Sequence, residues 1–196
     1  MRFKKKSLAN LEVYKSKTDI FKKLKEAEDY KNKIGKFLIP KVKNKTVLEI
    51  GCGAGKLTKI LAPHSKKYFA LEISREQLKI AKKYVGKNKK VKFINSSADE
   101  IPLKNNCVDV IIAAWVLCII MGLRNKKKVL RETERVLRSK GEHLIVENDY
   151  TGEFETMRRH PKRTKQYNNW LKKQGFKTTK IKTDFKFKNM NEAKEI

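Results

Sequence analysis

A chain of 196 residues is long enough for one α/β domain with a sizeable core and short for two. Lysine and arginine (49 residues) outnumber aspartate and glutamate (21), and the net charge of +28 favours a polyanionic partner. The lysines are spread along the whole chain, however, and such a distribution is also typical of a biased genome composition or a hot habitat. The sequence has no apolar N-terminal segment, no apolar run long enough to cross a bilayer, and three cysteines without metal-ligand spacing, so it favours a reduced, cytoplasmic protein without disulfides or structural zinc.

The first part of the chain is predicted to hold a basic arm and one helix. Residues 1–17 are polar and basic, which is typical of a loosely held terminal arm. Between residues 18 and 40 apolar side chains recur at helical spacing, which predicts a helix. Pro40 is predicted to end this helix or to follow its end closely, because proline lacks a backbone N–H.

Strand and helix signals then alternate as far as residue 147. Apolar runs predict five strands, at residues 46–50, 68–73, 91–95, 108–113 and 143–147. Ser74 and Gln77 have the spacing of a capping box for the helix after the second strand. Gly141 stands where a left-handed cap would close a helix at 126–137. Strands separated by helices form right-handed crossovers, so we expect an α/β fold with a doubly wound, mostly parallel sheet.

After Tyr150 the pattern becomes less regular. A basic segment at 157–165 leads into a predicted helix at 167–173 that Gly175 closes. Side chains then alternate in polarity from 176 to 187, which predicts a half-exposed strand. Residues 191–196 are predicted to begin a helix, so the sheet is expected to be short on its C-terminal side. A free sheet edge recruits partner strands, which favours a homodimer or a missing segment.

Residues 47–56 carry the most informative pattern in the chain. They contain a buried strand, an acid two residues before the first glycine, three glycines at alternate positions and the start of a helix. Glycine has no Cβ, so the backbone can turn sharply and approach a ligand closely. A strand, turn and helix of this kind is typical of nucleotide-binding sites. The spacing G-x-G-x-G differs from the G-x-G-x-x-G spacing of dinucleotide-binding proteins.

This pattern resembles motif I of the class I S-adenosylmethionine-dependent methyltransferases, within them the small-domain, type 11-like group that includes quinone-biosynthesis enzymes. The resemblance covers residues 47–147, about half of the chain. It implies one methyltransferase domain at 18–196, with a cofactor half at about 45–147 and an acceptor part at about 148–196. The implied cofactor is S-adenosylmethionine, and S-adenosylhomocysteine is the implied product.

The resemblance also assigns roles within the glycine motif. Glu49 is implied to orient the methionine end of the cofactor, since a carboxylate at the carboxyl edge of a strand suits an ammonium group. Gly51 and Gly53 are implied to let the backbone pass under the cofactor. Gly55 is implied to let the following helix pack closely.

Three later segments match further cofactor-binding positions of the family. Glu72 ends the second strand and is implied to accept hydrogen bonds from both ribose hydroxyls, because the two oxygens of a carboxylate suit a diol. Ala98 is implied to contribute its backbone N–H to the adenine ring. Ser97 stands where the family has an aspartate that receives the adenine amino group, and Asp99 could take that role by a local shift. Ala114 is implied to offer its backbone carbonyl to the ammonium group.

The acceptor side of the sequence is less specific. Asp149 follows the last predicted strand, where it either acts as a general base toward a hydroxyl or amine or only shapes a turn. The resemblance and the spread of lysine favour a small-molecule acceptor slightly over tRNA or rRNA. A nicotinamide oxidoreductase and a basic RNA-binding module with a vestigial cofactor fold are the competing classes. The glycine spacing, Glu49 and the segment 98–102 argue against the oxidoreductase. No metal is expected, because methyl transfer from a sulfonium requires none.

Overall fold

The computed structural model describes residues 27–117, 126–149 and 161–195. Its helices are α1 Lys33–Val42, α2 Lys56–Leu61, α3 Arg75–Val85, α4 Lys126–Val136, α5 Pro161–Lys173 and α6 Met190–Glu195. Its strands are β1 Thr46–Ile50, β2 Lys67–Glu72, β3 Val91–Asn95, β4 Val108–Ala114 and β5 Leu137–Val146. Within these ranges no helix is long and apolar enough to cross a membrane.

The strands form one parallel sheet in the order β3–β2–β1–β4–β5. The chain winds outward from β1 to β3 and then crosses back to β4, so the direction of winding reverses between β1 and β4. Ligands of doubly wound sheets bind at this reversal, outside the carboxyl ends of the strands. The topology confirms the predicted α/β fold. In the described part of the chain no strand lies beyond β5, in agreement with the expected short C-terminal side.

Helices cover both faces of the sheet. On one face, Thr58 of α2 donates a hydrogen bond to Glu49 of β1, and Gly55 brings the start of α2 against α3. On the other face, Val129 and Val136 of α4 belong to an apolar cluster that includes Leu48, Ile50, Phe69, Leu71, Ile94, Val108, Ile111 and Ala113. Strands that are buried on both faces read as continuous apolar runs, which is why the sequence predicts their positions well.

The start of the described chain corrects one predicted helix end. Pro40 lies inside α1, which continues to Val42, so proline does not end this helix. Proline has no backbone N–H, so the helix loses one hydrogen bond at this position. The burial of Leu38 and Val42, which are 1% and 0% exposed, offsets this loss. Residues 1–26, with the predicted arm and the first part of the predicted helix, lie outside the described residues.

The fifth strand also differs from the prediction. Leu137 pairs with β4 directly after α4 ends, residues 138–141 form a bulge, and pairing resumes at Glu142. Gly141 therefore lies within β5 and does not cap α4. A Cβ at Gly141 would come within 2.9 Å of the Asp109 carbonyl oxygen, so close packing accounts for this glycine. The predicted cap at Gly141 is wrong, because α4 ends at Val136 and β5 begins at the next residue.

The C-terminal elements follow the predictions in part. α5 begins at Pro161 rather than at residue 167, and Gly175 closes it with a φ of 85° and a hydrogen bond from its N–H to the Lys172 carbonyl at 3.0 Å. The predicted strand at 176–187 is wrong, since its pairing among the described residues is one bridge, between Phe185 and Glu28.

Contacts divide the chain into two compact units. One comprises residues 38–178 and contains the sheet. The other includes the described residues 27–37 and 179–195, and in it the Asp29 carboxylate caps α1 by accepting hydrogen bonds from backbone N–H groups at 2.8 and 2.9 Å. The single methyltransferase domain at 18–196 stays a prediction.

Candidate functional site

The glycine loop lies at the carboxyl end of β1, beside the point where the sheet order reverses. The backbone N–H groups of Gly51 and Cys52 both donate to the Leu71 carbonyl of β2, at 2.8 and 3.0 Å. The N–H of Gly53 donates to the Glu72 carboxylate at 3.0 Å. These bonds fix the loop to the end of the neighbouring strand.

Two positions in this loop require glycine for different reasons. Gly51 has a φ of 69°, and a Cβ there would come within 2.6 Å of the Val116 side chain, which follows β4. Gly53 has a φ of 52°, and a Cβ there would meet no atom within 4 Å. The loop is therefore tightly packed at Gly51, where it leaves β1, and open two residues later at Gly53. The open space above Gly53 leaves room for a ligand. At Gly55 a Cβ would come within 3.1 Å of the Ala81 and Val85 side chains of α3.

Glu72 is half-buried at the end of β2 and holds a fixed orientation. One carboxylate oxygen accepts the N–H of Gly53, and the other accepts the N–H of Ser74 at 2.9 Å. A carboxylate oxygen has two lone pairs, so each oxygen keeps one acceptor site for a ligand. The structure thus presents an oriented acidic acceptor at the edge where the glycine loop is open.

Glu49 lies beneath the loop rather than at its surface. Its side chain is 3% exposed and accepts hydrogen bonds from Thr58 Oγ1 at 2.5 Å and from the Tyr68 hydroxyl at 3.0 Å. Burial raises the pKa of this carboxyl from 4.5 to about 7, and the two hydrogen bonds lower it in part. The same burial, with the negative charge of Glu49, raises the pKa of the Tyr68 hydroxyl.

The two donors to Glu49 were not predicted from the sequence. Thr58 lies on α2 and Tyr68 on β2, and neither belongs to the glycine motif. The available signal was their position: each is a polar group on a face otherwise expected to be apolar. Cys52 in the loop is buried, and burial raises the pKa of its thiol, which disfavours a nucleophilic role.

The segment after β3 contains the residues expected at the adenine. Ser97 donates its hydroxyl hydrogen to the Asp99 carboxylate, so the two candidate residues act as one polar unit. Ala98 between them is buried, and the other carboxylate oxygen of Asp99 lies 3.9 Å from the Lys128 ammonium of α4. Ser97 and Asp99 thus lie together, and their positions are compatible with either residue contacting the adenine amino group.

The end of β4 carries an unusual backbone conformation. Trp115 directly follows Ala114 and has a φ of 55°, a region that bulky residues seldom adopt. Two hydrogen bonds hold it there: its backbone N–H donates to the Val146 carbonyl at 2.8 Å, and its ring Nε1–H donates to Asn148 Oδ1 at 2.8 Å. Strained residues of this kind concentrate at functional sites. Asp149 follows in the loop after β5 and is half-buried.

The described residues also form a cavity away from the glycine loop. A cavity of about 430 Å³ lies at the amino edge of the sheet, lined by Asn44, Lys45, Asp109, Arg138, Ser139, Lys140 and Gly141. An ion pair between Arg138 and Asp109 spans its wall. This is the edge opposite to the glycine loop, so the cavity is separate from the candidate site. Within the described ranges no group of three or more His, Cys, Asp or Glu side chains could hold a metal ion.

Comparison with known proteins gives consistent results. A family model described as a methyltransferase domain matches residues 48–145, half of the chain. A probable S-adenosylmethionine-dependent methyltransferase of Saccharomyces cerevisiae, CRG1, is 30% identical over 116 residues, which are 56% of this chain and 37% of that protein. A demethylmenaquinone methyltransferase of Thermotoga maritima is 34% identical over 116 residues, which are 56% of this chain and 46% of that protein.

The fold comparison agrees with the sequence comparison. A SAM-dependent methyltransferase from Aquifex aeolicus superimposes with a TM-score of 0.58 at 23% identity, covering 80% of this chain and 84% of that chain. The chain spans less than half of the length of the two curated relatives. The domain match, together with the glycine loop and its two carboxylates, shows that the chain belongs to the class I S-adenosylmethionine-dependent methyltransferases.

Proposed function

We propose that this protein transfers a methyl group from S-adenosylmethionine to an acceptor, with the donor bound at the carboxyl edge of β1, β2, β3 and β4. The observation that carries this proposal is the glycine loop, whose open position at Gly53 is tied to the Glu72 carboxylate. A ligand above Gly53 lies beside an oriented acceptor of hydrogen bonds. This arrangement fits a ribose with two adjacent hydroxyls.

Glu72 and Glu49 serve opposite ends of the donor in this proposal. Glu72 accepts the two ribose hydroxyls with the lone pairs that the backbone leaves available. Glu49 lies below the loop and supplies negative charge toward the methionine end, which carries an ammonium group and a sulfonium. Ala114 at the end of β4 offers its backbone carbonyl to the ammonium. These roles are supported by the family resemblance and by the position of each residue at the same edge.

The adenine is proposed to lie against the segment after β3. The backbone N–H of Ala98 contacts the ring, and the unit formed by Ser97 and Asp99 accepts the adenine amino group. The hydroxyl hydrogen of Ser97 is committed to Asp99, so the charged oxygen of Asp99 is the better acceptor of the two. This assignment favours Asp99 over Ser97 for direct contact.

The chemistry itself asks little of the protein beyond alignment. When bound, S-adenosylmethionine supplies an electrophilic methyl group that needs no metal for transfer. The chain binds the donor, excludes water from the sulfonium and holds the acceptor in line with the methyl group. Asp149, in the loop after β5, is proposed to accept a proton from a hydroxyl or amine of the acceptor.

A small molecule is the first candidate acceptor. The support is the relative from Thermotoga maritima, which is named as a demethylmenaquinone methyltransferase and matches 116 residues of this chain. Demethylmenaquinone is therefore the first probe to test. A neutral acceptor of this kind predicts activity that changes little with salt concentration.

RNA is the second candidate, and a specific surface favours it. What we call the basic α3 face comprises eight exposed basic residues of α3, of the connection after it and of β3: Arg75, Lys79, Lys82, Lys83, Lys87, Lys89, Lys90 and Lys92. None of them forms an ion pair with a carboxylate in the described part of the chain, whereas Lys33, Lys41, Lys45 and Lys128 all do. This face begins at the candidate site, because α3 follows Glu72. Residues 157–160 of the basic segment expected at 157–165 lie outside the described residues, and residues 161–165 belong to α5.

Calorimetry tests the proposal in its first step. S-adenosylmethionine and S-adenosylhomocysteine are each expected to bind the protein, and NADH, tested separately on the same sample, is expected not to bind. Binding of tRNA, also tested separately, is expected only if RNA is the acceptor. Binding of NADH without binding of either sulfur compound contradicts the proposal. A folded sample that binds none of them contradicts it as well.

Salt dependence separates the two acceptors. Binding of tRNA through six phosphates weakens by about a thousandfold between 50 and 200 mM salt. Changing Lys79, Lys82 and Lys83 to glutamine should reduce the slope of log affinity against log salt by about 2 to 3, if three phosphate contacts are lost. The matched control changes three exposed lysines elsewhere, at positions 127, 140 and 173, to glutamine. An equal effect of both variants means that binding follows net charge alone and rejects RNA recognition by the basic α3 face.

A further inference from the structure

The connection between β3 and β4 has no helix. Residues 96–107 cross from one side of the sheet to the other, and the structure assigns them neither helix nor strand. Crossovers between parallel strands are usually helical, and a helix satisfies its own backbone groups. A crossover without a helix needs other partners for its backbone N–H and carbonyl groups, above all where it is buried, as at Ala98 and Ile101.

Two side chains of α4 supply these partners. The Arg135 guanidinium donates to the Ile101 carbonyl and to the Leu103 carbonyl, each at 2.8 Å, and to Asn105 Oδ1 at 2.9 Å. The Glu132 carboxylate accepts the backbone N–H of Ile101 at 2.9 Å. Arg135 and Glu132 therefore hold the crossover at Ile101, Leu103 and Asn105.

The two side chains also hold each other. Arg135 Nε and Nη2 donate to the two oxygens of Glu132, at 2.7 and 2.8 Å. The guanidinium lowers the pKa of the Glu132 carboxyl through this contact. An exposed ion pair between neighbouring helix turns usually contributes little. Here the Arg135 and Glu132 side chains are only 31% and 20% exposed. All the nitrogens of the guanidinium donate hydrogen bonds, to Glu132 and to the crossover, so the pair contacts the crossover as well as forming an ion pair.

We propose that Glu132 and Arg135 are positioning residues that hold the crossover in the conformation that recognises adenine. The segment they hold begins at Ile101, two residues after Asp99, and so follows the residues proposed to contact the adenine, Ser97, Ala98 and Asp99. Lys128, one turn earlier on α4, extends the same support by binding Glu100 at 3.0 Å. The inference rests on the proposed function, because it assumes that the donor's adenine lies against this segment.

The ligand test compares S-adenosylhomocysteine with S-inosylhomocysteine, in which an oxo group replaces the adenine amino group. In Arg135→Lys a single ammonium replaces the fork, so two of its contacts with the crossover are lost. The affinity for S-adenosylhomocysteine should fall about tenfold, as for one lost hydrogen bond to a charged partner. The affinity for S-inosylhomocysteine should fall less. The ratio of the S-adenosylhomocysteine affinity to the S-inosylhomocysteine affinity should therefore approach one.

The matched control is Arg131→Lys, on the same helix. Arg131 is exposed and makes no hydrogen bond or ion pair with any described residue, so the ratio should stay that of the unchanged protein. Glu132→Gln keeps the shape of the side chain, loses its charge and should lower the ratio as well. If Arg135→Lys and Glu132→Gln weaken both ligands in equal proportion, the pair has only a structural role and the inference is wrong.

Hydrogen exchange provides a readout that needs no ligand. The Ile101 amide should exchange faster in Arg135→Lys and Glu132→Gln than in Arg131→Lys. Unchanged exchange at residues 97–105 contradicts the inference even if the ligands bind. If the unchanged protein does not bind S-adenosylhomocysteine at all, the proposed function fails, and exchange still decides whether the pair orders the crossover.

Discussion

Replacing the buried carboxylate Glu49 by glutamine should change how the stability of the protein depends on pH. Glu49 is 3% exposed, and the hydrogen bonds that its carboxylate accepts from described residues come from the hydroxyls of Thr58 and Tyr68. Glutamine has the same shape and no charge, and its carbonyl oxygen can accept the same two hydrogen bonds. The substitution therefore removes the cost of burying a negative charge and keeps the packing.

The magnitude follows from the pKa. Burial raises the pKa of Glu49 from 4.5 to about 7 in the folded protein. Between these values the folded protein holds a proton that the unfolded chain has released, so the free energy of unfolding falls as the pH rises. At about 1.36 kcal/mol per pH unit, the full loss of unfolding free energy is about 3 kcal/mol. This loss is complete above pH 7 and absent below about pH 4.5. This is a large share of the typical stability of a domain.

Urea unfolding of both proteins at pH 5, 6, 7 and 8 measures this effect. The difference in unfolding free energy between Glu49→Gln and the unchanged protein should grow by about 2 to 3 kcal/mol over that range. Any constant offset from the extra amide hydrogen cancels in the comparison between pH values. Glu134→Gln, at an exposed position on α4, reports the effect of net charge alone. A difference that stays flat from pH 5 to 8 refutes the argument from burial.

Four further predictions concern the glycine loop and the proposed donor site. Glu72→Ala should leave the fold intact and weaken S-adenosylhomocysteine binding by about 1.5–3 kcal/mol for each lost bond, measured by calorimetry. Gly51→Ala should lower the free energy of unfolding by about 1–3 kcal/mol, because its Cβ would clash with Val116 at a positive φ. Gly53→Ala, whose Cβ meets no atom within 4 Å, should cost less stability in the same urea experiment and more donor affinity. Finally, the ratio of S-adenosylmethionine to S-adenosylhomocysteine affinity should rise from pH 5.5 to 7.5 in the unchanged protein and stay flat in Glu49→Gln, since only the methyl donor carries a sulfonium.

The sequence predicted most of the sheet because the information is local. Strands β1 and β3 have the predicted bounds, and β2 and β4 differ by one residue at one or both ends. Each is an apolar run bounded by turn residues, and such a run has few alternatives in a chain of this class. The glycine loop was equally accessible, since a positive φ at Gly51, Gly53 and Gly55 leaves a direct trace in residue type.

The features that the sequence did not predict depend on partners distant in the chain. The alternating segment 176–187 has the pattern of a strand, but a strand exists only where another strand pairs with it, and here one bridge forms. Arg135 reads as an ordinary charged residue on an amphipathic helix until the crossover is placed beside it. The start of β5 was missed because the bulge at 138–141 has no periodic signature.

The two carboxylates at the glycine loop illustrate how burial divides one residue type into two roles. Glu72 ends its strand at the open edge, where backbone N–H groups orient it and water reaches it, so it suits a neutral diol. Glu49 lies one strand away, below the same loop, where burial brings its pKa to about 7. A cation bound above the loop favours the ionised form of Glu49, and the ionised form in turn favours the cation. In the proposed function the loop thus combines a fixed acceptor for the ribose with a buried negative charge, whose cost to folding near neutral pH is offset when the cationic donor binds.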